Sequence, residues 1–268
     1  MKYHVGGNIT FTRNELTDYG GTTVLKSGYT STQQGYSLNS IFGLRYGGKI
    51  QNEEQLKAYM AKYYPNNGIN MPANLRVGDN MYCDENGDGV LDYNDYIYLG
   101  SDVPEISYSF NAGASWKGID FNIVFQGSAN RFVYRGIDSW TVPFRSPYTN
   151  STTSSIGNTW SETNPNAYYA PYTMDANIIN YNYQANSQTA QDGRYIRLKN
   201  LTVGYNLPAG LLKKIGFINM ARIYFTGEDL WESTKISDGW DPEAKRNASG
   251  TGRYPFSRNF TFGVNLTF

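Results

Sequence analysis

Cysteine and histidine are nearly absent from this 268-residue chain. Cys83 stands alone, so no intramolecular disulfide can form, and with His4 the lone histidine a Cys–His catalytic pair could be built only from these two. Both are read as structural. A charge excess is missing as well: 23 Lys and Arg balance 23 Asp and Glu, so bulk electrostatics recruit neither nucleic acid nor an acidic membrane surface. No apolar run approaches the ~18 residues of a transmembrane helix. The opening MKYHVGGNITFTRNE has no hydrophobic signal-peptide core, so the chain is expected either to be cytoplasmic or to lack its true beginning. What is abundant is tyrosine, 24 residues, within an aromatic content of 16%. The mean hydropathy of -0.55 suits strands in which only alternate residues are apolar, as in a membrane β-barrel.

Seven segments alternate with period two, the signal of a strand with one apolar face. Tyr3, Val5, Ile9 and Phe11 mark the first, and a weaker second lies near Leu38 to Tyr46. The third runs from Ile106 to Trp116 and the fourth from Ile119 to Gln126, joined by a tight turn at Lys117 and Gly118. In the fifth, RYIRLKNLTVGYNLP, Ile196 and Leu198 are even but Leu201, Val203 and Tyr205 are odd, which predicts a bulge near Lys199 or Asn200. Ala221, Ile223 and Phe225 mark the sixth, and Phe260, Phe262, Val264, Leu266 and Phe268 the last. Helix signals are few: Asn52 with Gln55 caps a stretch near 53–63, and a short helix is expected over 208–216, opened by Pro208 and closed by Gly216.

Membrane barrels place short turns on one side and long loops on the other. Counting back from the last strand puts the connections 47–105, 131–193 and 231–255 outside. The turn at Lys117, the 208–216 helix and the 14–37 connection fall inside. The expected fold is therefore all-β: an antiparallel transmembrane β-barrel portion of about seven strands, with long outer loops and two short helices.

Within the 47–105 connection, DENGDGVLDYND spans Asp84 to Asp95 with the spacing of an EF-hand calcium loop. The oxygen ligands would be Asp84, Asn86, Asp88, the Val90 carbonyl, Asp92 and Asp95, with Gly89 at the turn. Asp95 in place of glutamate shortens the bidentate reach, so weaker affinity is expected. The flanks VGDNMYC and YIYLGSDVPE offer no helix pair to move, so the calcium is expected to be structural.

The stretch GDNMYCDENGDGVLDYNDYIYLGSDVPEISYSFNAGASWKGIDFNIVFQGSAN, together with GRYIRLKNLTVGYNLPAGLLKKIG and YPFSRNFTFGVNLTF, resembles the carboxyl-terminal part of SusC/RagA-type TonB-dependent outer-membrane transporters. The resemblance implies a barrel of about 22 strands around an amino-terminal plug. It implies import of glycans or peptides beneath a SusD-type lipoprotein lid, with energy delivered through TonB by way of a plug that this sequence does not contain. It also implies outer-membrane localisation among lipid. The terminal strand, Phe260, Phe262, Val264, Leu266 and Phe268, would carry the signal read by the barrel assembly machinery. About seven strands cannot close such a barrel, so residues 1–268 read as the carboxyl-terminal portion of a longer transporter.

No catalytic constellation is expected: Glu228 with Asp229 and Glu53 with Glu54 read as solvated charges. The 131–192 connection carries Trp140, Tyr148, Trp160, Tyr168, Tyr169 and Tyr172 among amides and hydroxyls. These could contact a glycan, a lid protein or simply each other. A soluble, calcium-stapled β-sandwich that binds carbohydrate is the other reading of the same alternation, and it requires a second sheet to cover the apolar face.

Overall fold

A computed structural model describes the chain except for residues 19, 21–31, 39, 135, 137–141, 144–149, 215, 238 and 244–256. Along the chain come β1 (Lys2–Phe11), β2 (Ser40–Gly43), β3 (Tyr46–Lys49), α1 (Glu53–Tyr63), β4 (Asn80–Tyr82), β5 (Ile97–Ser101), β6 (Ile106–Trp116) and β7 (Ile119–Ala129). They are followed by β8 (Phe132–Val133), α2 (Ala176–Tyr183), β9 (Gln191–Asp192), β10 (Tyr195–Asn206), α3 (Ala209–Leu212), β11 (Met220–Thr234) and β12 (Asn259–Thr267). Six long strands form one antiparallel sheet in the order β1-β6-β7-β10-β11-β12. Their 9 to 15 residues match or exceed the ~9–11 needed to cross a bilayer at a tilt.

Register makes this sheet two-faced. Tyr3, Ala114, Phe121, Val203, Phe225 and Phe262 lie opposite one another across all six strands. The row one residue along is His4, Gly113, Asn122, Thr202, Thr226 and Thr261. The expected parity change in β10 is real: Leu198 pairs Phe125 while Asn200 pairs Val124, leaving Lys199 as the extra residue. That insertion returns Ile196, Leu198, Leu201 and Val203 to one face.

Among the described residues the large sheet has six strands, not seven. The segment near Leu38 to Tyr46 yields β2 and β3, each four residues long and paired with β5 and β4 in small separate sheets. Ser40, Ile41, Phe42 and Gly43 are all buried, so this piece has no exposed face to give to lipid. The connection between β1 and β6 consequently runs over 12–105 rather than 47–105. The described ends of the 14–37 connection lie at that same end and not at the Lys117 turn: Leu16 N–H donates to Tyr36 O, Leu16 O accepts Gly35 N–H, and Thr12 N–H donates to Glu105 O beside the start of β6. All long connections thus leave one end of the sheet. The other end carries the Lys117–Gly118 turn and the 207–219 connection, where the expected 208–216 helix is reduced to α3, Ala209–Leu212.

The apolar core lies outside the sheet. Phe42, Leu44, Ile50, Tyr59, Tyr63 and Tyr181 belong to a cluster assembled from the 12–105 and 130–194 connections. These two connections fold together as a head.

Candidate functional site: a two-faced wall and the head above it

On the apolar face the large side chains stand in the open, with Tyr3 78% and Phe262 80% exposed. A soluble sandwich would cover them with a second sheet; among the described residues none does, and the sandwich reading fails on that point. No described helix is long and apolar enough to cross a membrane, which leaves the strands as the membrane-compatible elements.

The polar face is organised by ion pairs. Near the turn end Arg222 of β11 reaches across Gly204 of β10 to Asp120 of β7, at 3.0 Å from Nε to Oδ1. A Cβ at position 204 would collide with the guanidinium at 2.5 Å, so glycine is what lets the pair span a strand. Near the loop end Arg197, 1% exposed, meets Glu232, Asp241 and Glu243. Lys199 Nζ holds Asp229 at 3.1 Å and Glu243 at 2.9 Å. Arg131 pairs with Asp102 at 2.8 Å and donates to the Pro242 carbonyl. These contacts fold the start of the β11–β12 connection over the polar face. Beside it lies a cleft of about 760 Å³ lined by Ser107, Ser109, Gln126, Ser128, Arg131 and Glu243 among others. Ser128 Oγ is buried there with no hydrogen-bond partner among the described residues. The sequence signal for this cluster was slight: two cations, Arg197 and Lys199, in a strand otherwise short of charge.

The head is locked by polar contacts between its two connections. Tyr59 of α1 and Tyr181 of α2 touch through their hydroxyls at 2.9 Å. Asn80 N–H donates to Asn182 Oδ1 at 2.7 Å, and Asn182 Nδ2 donates to Asp79 Oδ1 at 2.8 Å. Buried Lys49 donates to Asn80 Oδ1 at 2.6 Å, and burial lowers its ammonium to about 8 against the pull of Asp79. Helix α1 forms where the sequence predicts it, with Asn52 accepting Gln55 N–H, while the Gln55 side chain accepts from Gln51. Helix α2 is not legible beforehand: ANIINYNY is short, rich in asparagine and held by the Asp175 cap and by burial of Ile178, Ile179, Tyr181 and Tyr183.

In the 84–95 loop the carboxylates turn onto backbone amides. Asp84 accepts Gly87 and Gly89 N–H at 2.7 and 2.9 Å, Asp88 accepts Val90 N–H at 2.8 Å, and Asp95 accepts Glu85 and Asp92 N–H, each at 2.9 Å. Asn86 Oδ1 accepts Asp88 N–H at 2.9 Å and Asp92 Oδ1 accepts Asn94 N–H at 2.6 Å. Gly87 and Gly89 supply the positive φ values, 76° and 83°, that the curl requires. Among the described residues no three His, Cys, Asp or Glu side chains come together as a metal-holding group. The donors are all oxygen, as calcium requires, but they are spread along the loop on separate amides.

Of the loop aromatics, Trp140 and Tyr148 lie outside the described residues. Tyr169 is buried against Ala170, Ile179 and Tyr183, with its hydroxyl 3.1 Å from Ser154 Oγ. Tyr168 packs on that cluster and donates to Gln188 O, and the Trp160 ring covers Gly78. Tyr172 is exposed. This arrangement uses Trp160, Tyr168 and Tyr169 to build the head. His4 sits beside the turn end and Cys83 in the head, so the Cys–His pair does not form. Glu228 accepts from Asn259, Asp229 is held by Lys199, and Glu53 and Glu54 lie exposed in the first turn of α1.

No protein-family model matches the chain. It is similar to two TonB-dependent receptors of Formosa agariphila: 28% identical over 97% of the chain and 26% of the first, and 29% identical over 88% of the chain and 23% of the second. It is 24% identical to the TonB-dependent receptor SusC of Bacteroides thetaiotaomicron, over 97% of the chain and 24% of that receptor. Among solved structures, one of the RagAB peptide transporter superimposes with a TM-score of 0.71 at 22% identity, covering 99% of this chain and 27% of the other. The chain therefore spans about a quarter of the length of the proteins it matches.

Proposed function

We propose that the chain is a part of a SusC/RagA-type TonB-dependent receptor, and that it forms the carboxyl-terminal wall of a transmembrane barrel in the bacterial outer membrane that imports glycans or other nutrient oligomers without transforming them. The observation that carries the reading is the two-faced sheet with all its long connections at one end. The exposed apolar rows suit lipid, the hydroxyl and amide rows suit a polar lumen, and the head would stand outside the cell.

Both sheet edges, β1 and β12, need partners, because unpaired backbone groups in a bilayer cost several kcal/mol each. The remaining strands of a full-length receptor would close the ring. The head, together with Tyr172 and the cleft beside Ser128, offers polar and aromatic surface at the mouth to an oligomer or to a SusD-type lipoprotein. The alternating β12 would engage the barrel assembly machinery, and a TonB-contacting plug would belong to the rest of the receptor.

Topology is tested on the full-length receptor in intact cells with a membrane-impermeant thiol reagent. In a background in which Cys83→Ser removes the native thiol of the head, Asn66→Cys in the head should label from outside and Lys213→Cys at the turn end should not; labelling of both or neither would sink the proposal. Uptake is tested separately with a fluorescent oligosaccharide, using a peptide of similar size as competitor.

Calcium at the 84–95 loop belongs to this proposal. Its spacing and all-oxygen donors support it, with Asp84, Asn86, Asp88, Val90, Asp92 and Asp95 as the residues that would hold the ion. Its contribution would be to stiffen the head, not to take part in transport chemistry.

A further inference from the structure

Charge is distributed unevenly along the wall. Residues 1–4, 113–122, 203–223 and 263–268 make up its turn end and contain Lys2, Lys117, Lys213, Lys214 and Arg222. Asp120 is their one acidic side chain, and it is engaged by Arg222. Because the whole chain is neutral, this positive end is balanced by an acidic loop end.

The cations stand beside exposed apolar rings. Trp116, 55% exposed, lies in the row of Ile119, Tyr205, Ile223 and Val264, the last apolar row before the turn. Lys117 Nζ is 4.7 Å from the centroid of that indole. Phe217 and Phe268, both exposed, stack with centroids 6.2 Å apart and planes at 4°. Lys213 and Lys214 are exposed on the connection that carries Phe217.

Exposed aromatic rings continuous with an apolar wall favour the boundary between hydrocarbon and headgroups, and lysines placed there extend their ammonium groups toward the phosphates. From this geometry we infer that the turn end is a binding rim for anionic phospholipid, with Lys117, Lys213 and Lys214 as headgroup contacts and Trp116, Phe217 and Phe268 as the interfacial anchor. An acidic protein partner in water would satisfy the lysines but would gain nothing from rings that merge into the lipid-facing rows. The inference rests on the barrel reading and adds a lipid preference to it.

The test uses the full-length receptor in bilayers of phosphatidylethanolamine and phosphatidylglycerol, with bromine placed on one lipid or the other. Quenching of Trp116 is taken as the difference between the receptor and its Trp116→Phe variant. Brominated phosphatidylglycerol should quench more than its mole fraction predicts, with a preference on the order of fivefold per contacting lysine at low salt. The preference should vanish in Lys117→Gln/Lys213→Gln/Lys214→Gln and persist in the corresponding triple arginine variant. Equal quenching by both lipids, or a preference that survives the glutamine variant, overturns the rim and leaves the barrel intact. No quenching by either lipid overturns both.

Discussion

Tyr59 and Tyr181 share a hydrogen bond at 2.9 Å although 122 residues separate them, and through it the two long connections of the head become one body. The partners are not equivalent. Tyr59 Oη also accepts the buried Tyr82 N–H at 2.9 Å, whereas removing the Tyr181 hydroxyl leaves that amide satisfied. Tyr59→Phe should therefore cost the head about 1–3 kcal/mol, and Tyr181→Phe about 1 kcal/mol. Urea unfolding of the head, followed by Trp160 fluorescence, checks the order; equal costs would show that the Tyr82 amide finds another acceptor.

Lys199 sets the parity of β10. Deleting it would carry either Ile196 and Leu198 or Leu201 and Val203 to the polar face, since a one-residue slip inverts every side chain beyond it. A full-length receptor lacking Lys199 is expected to fail to assemble, seen as loss of the compact heat-modifiable band on gels. Assembly at wild-type yield would mean that another residue takes up the bulge.

That bulge was legible because strand parity is written in alternate residues and a break in it has few explanations. The six sheet strands and the tight turn at Lys117 between two of them could be read for the same reason, and α1 could be read from its Asn52 cap. Ser40–Gly43 misled because a segment buried on both faces loses its period, and length alone separates it from a wall strand. The Arg197, Asp241 and Glu243 cluster was not legible either, because its partners lie 44 and 46 residues apart and are joined only by the fold of the β11–β12 connection.

Lys49 and the head tyrosines make stability of the head depend on pH in opposite directions. The folded head holds the Lys49 proton with a pKa of about 8, below the ordinary 10.5, so between those values the unfolded chain carries more protons and stability rises with pH. Below about pH 8 both states are protonated and this dependence disappears. Burial raises the Tyr59, Tyr82, Tyr181 and Tyr183 phenols, so above about pH 10 the unfolded chain loses protons first and stability falls. The urea midpoint should peak near pH 9–10, with a rising limb of at most about 1.4 kcal/mol per pH unit. Lys49→Met should abolish the rise and leave the fall; an unchanged rise would assign it to another group.

Calcium, on the reading proposed above, should bind the 84–95 loop in the range of about 0.1–1 mM, as fits a loop ending in Asp95. Terbium luminescence sensitised by the neighbouring Tyr93 should saturate, calcium should displace it, and Asp88→Ala should remove it. Chelation should speed hydrogen exchange across 84–95 without releasing the strands. Absence of saturable binding at millimolar calcium would leave the loop as a set of aspartate turns, and unfolding of the strands on chelation would place the ion elsewhere.

Phe262 and Thr261 are neighbours on β12 with opposite surroundings, and they test the two faces directly. Phe262 is 80% exposed in the apolar row that ends Val203 and Phe225, while Thr261 closes the polar row through Thr202 and Thr226. If the first row meets lipid and the second meets water, Phe262→Lys should destabilise the assembled receptor by about 2–4 kcal/mol. Thr261→Lys, a change on the wet side away from any cap or core, should stay within about 0.5 kcal/mol. Denaturant unfolding from phospholipid vesicles compares them in one background. A reversed order would mean that the apolar rows face inward, against protein; equal small effects would mean that both faces are wet and that the sheet does not cross a bilayer.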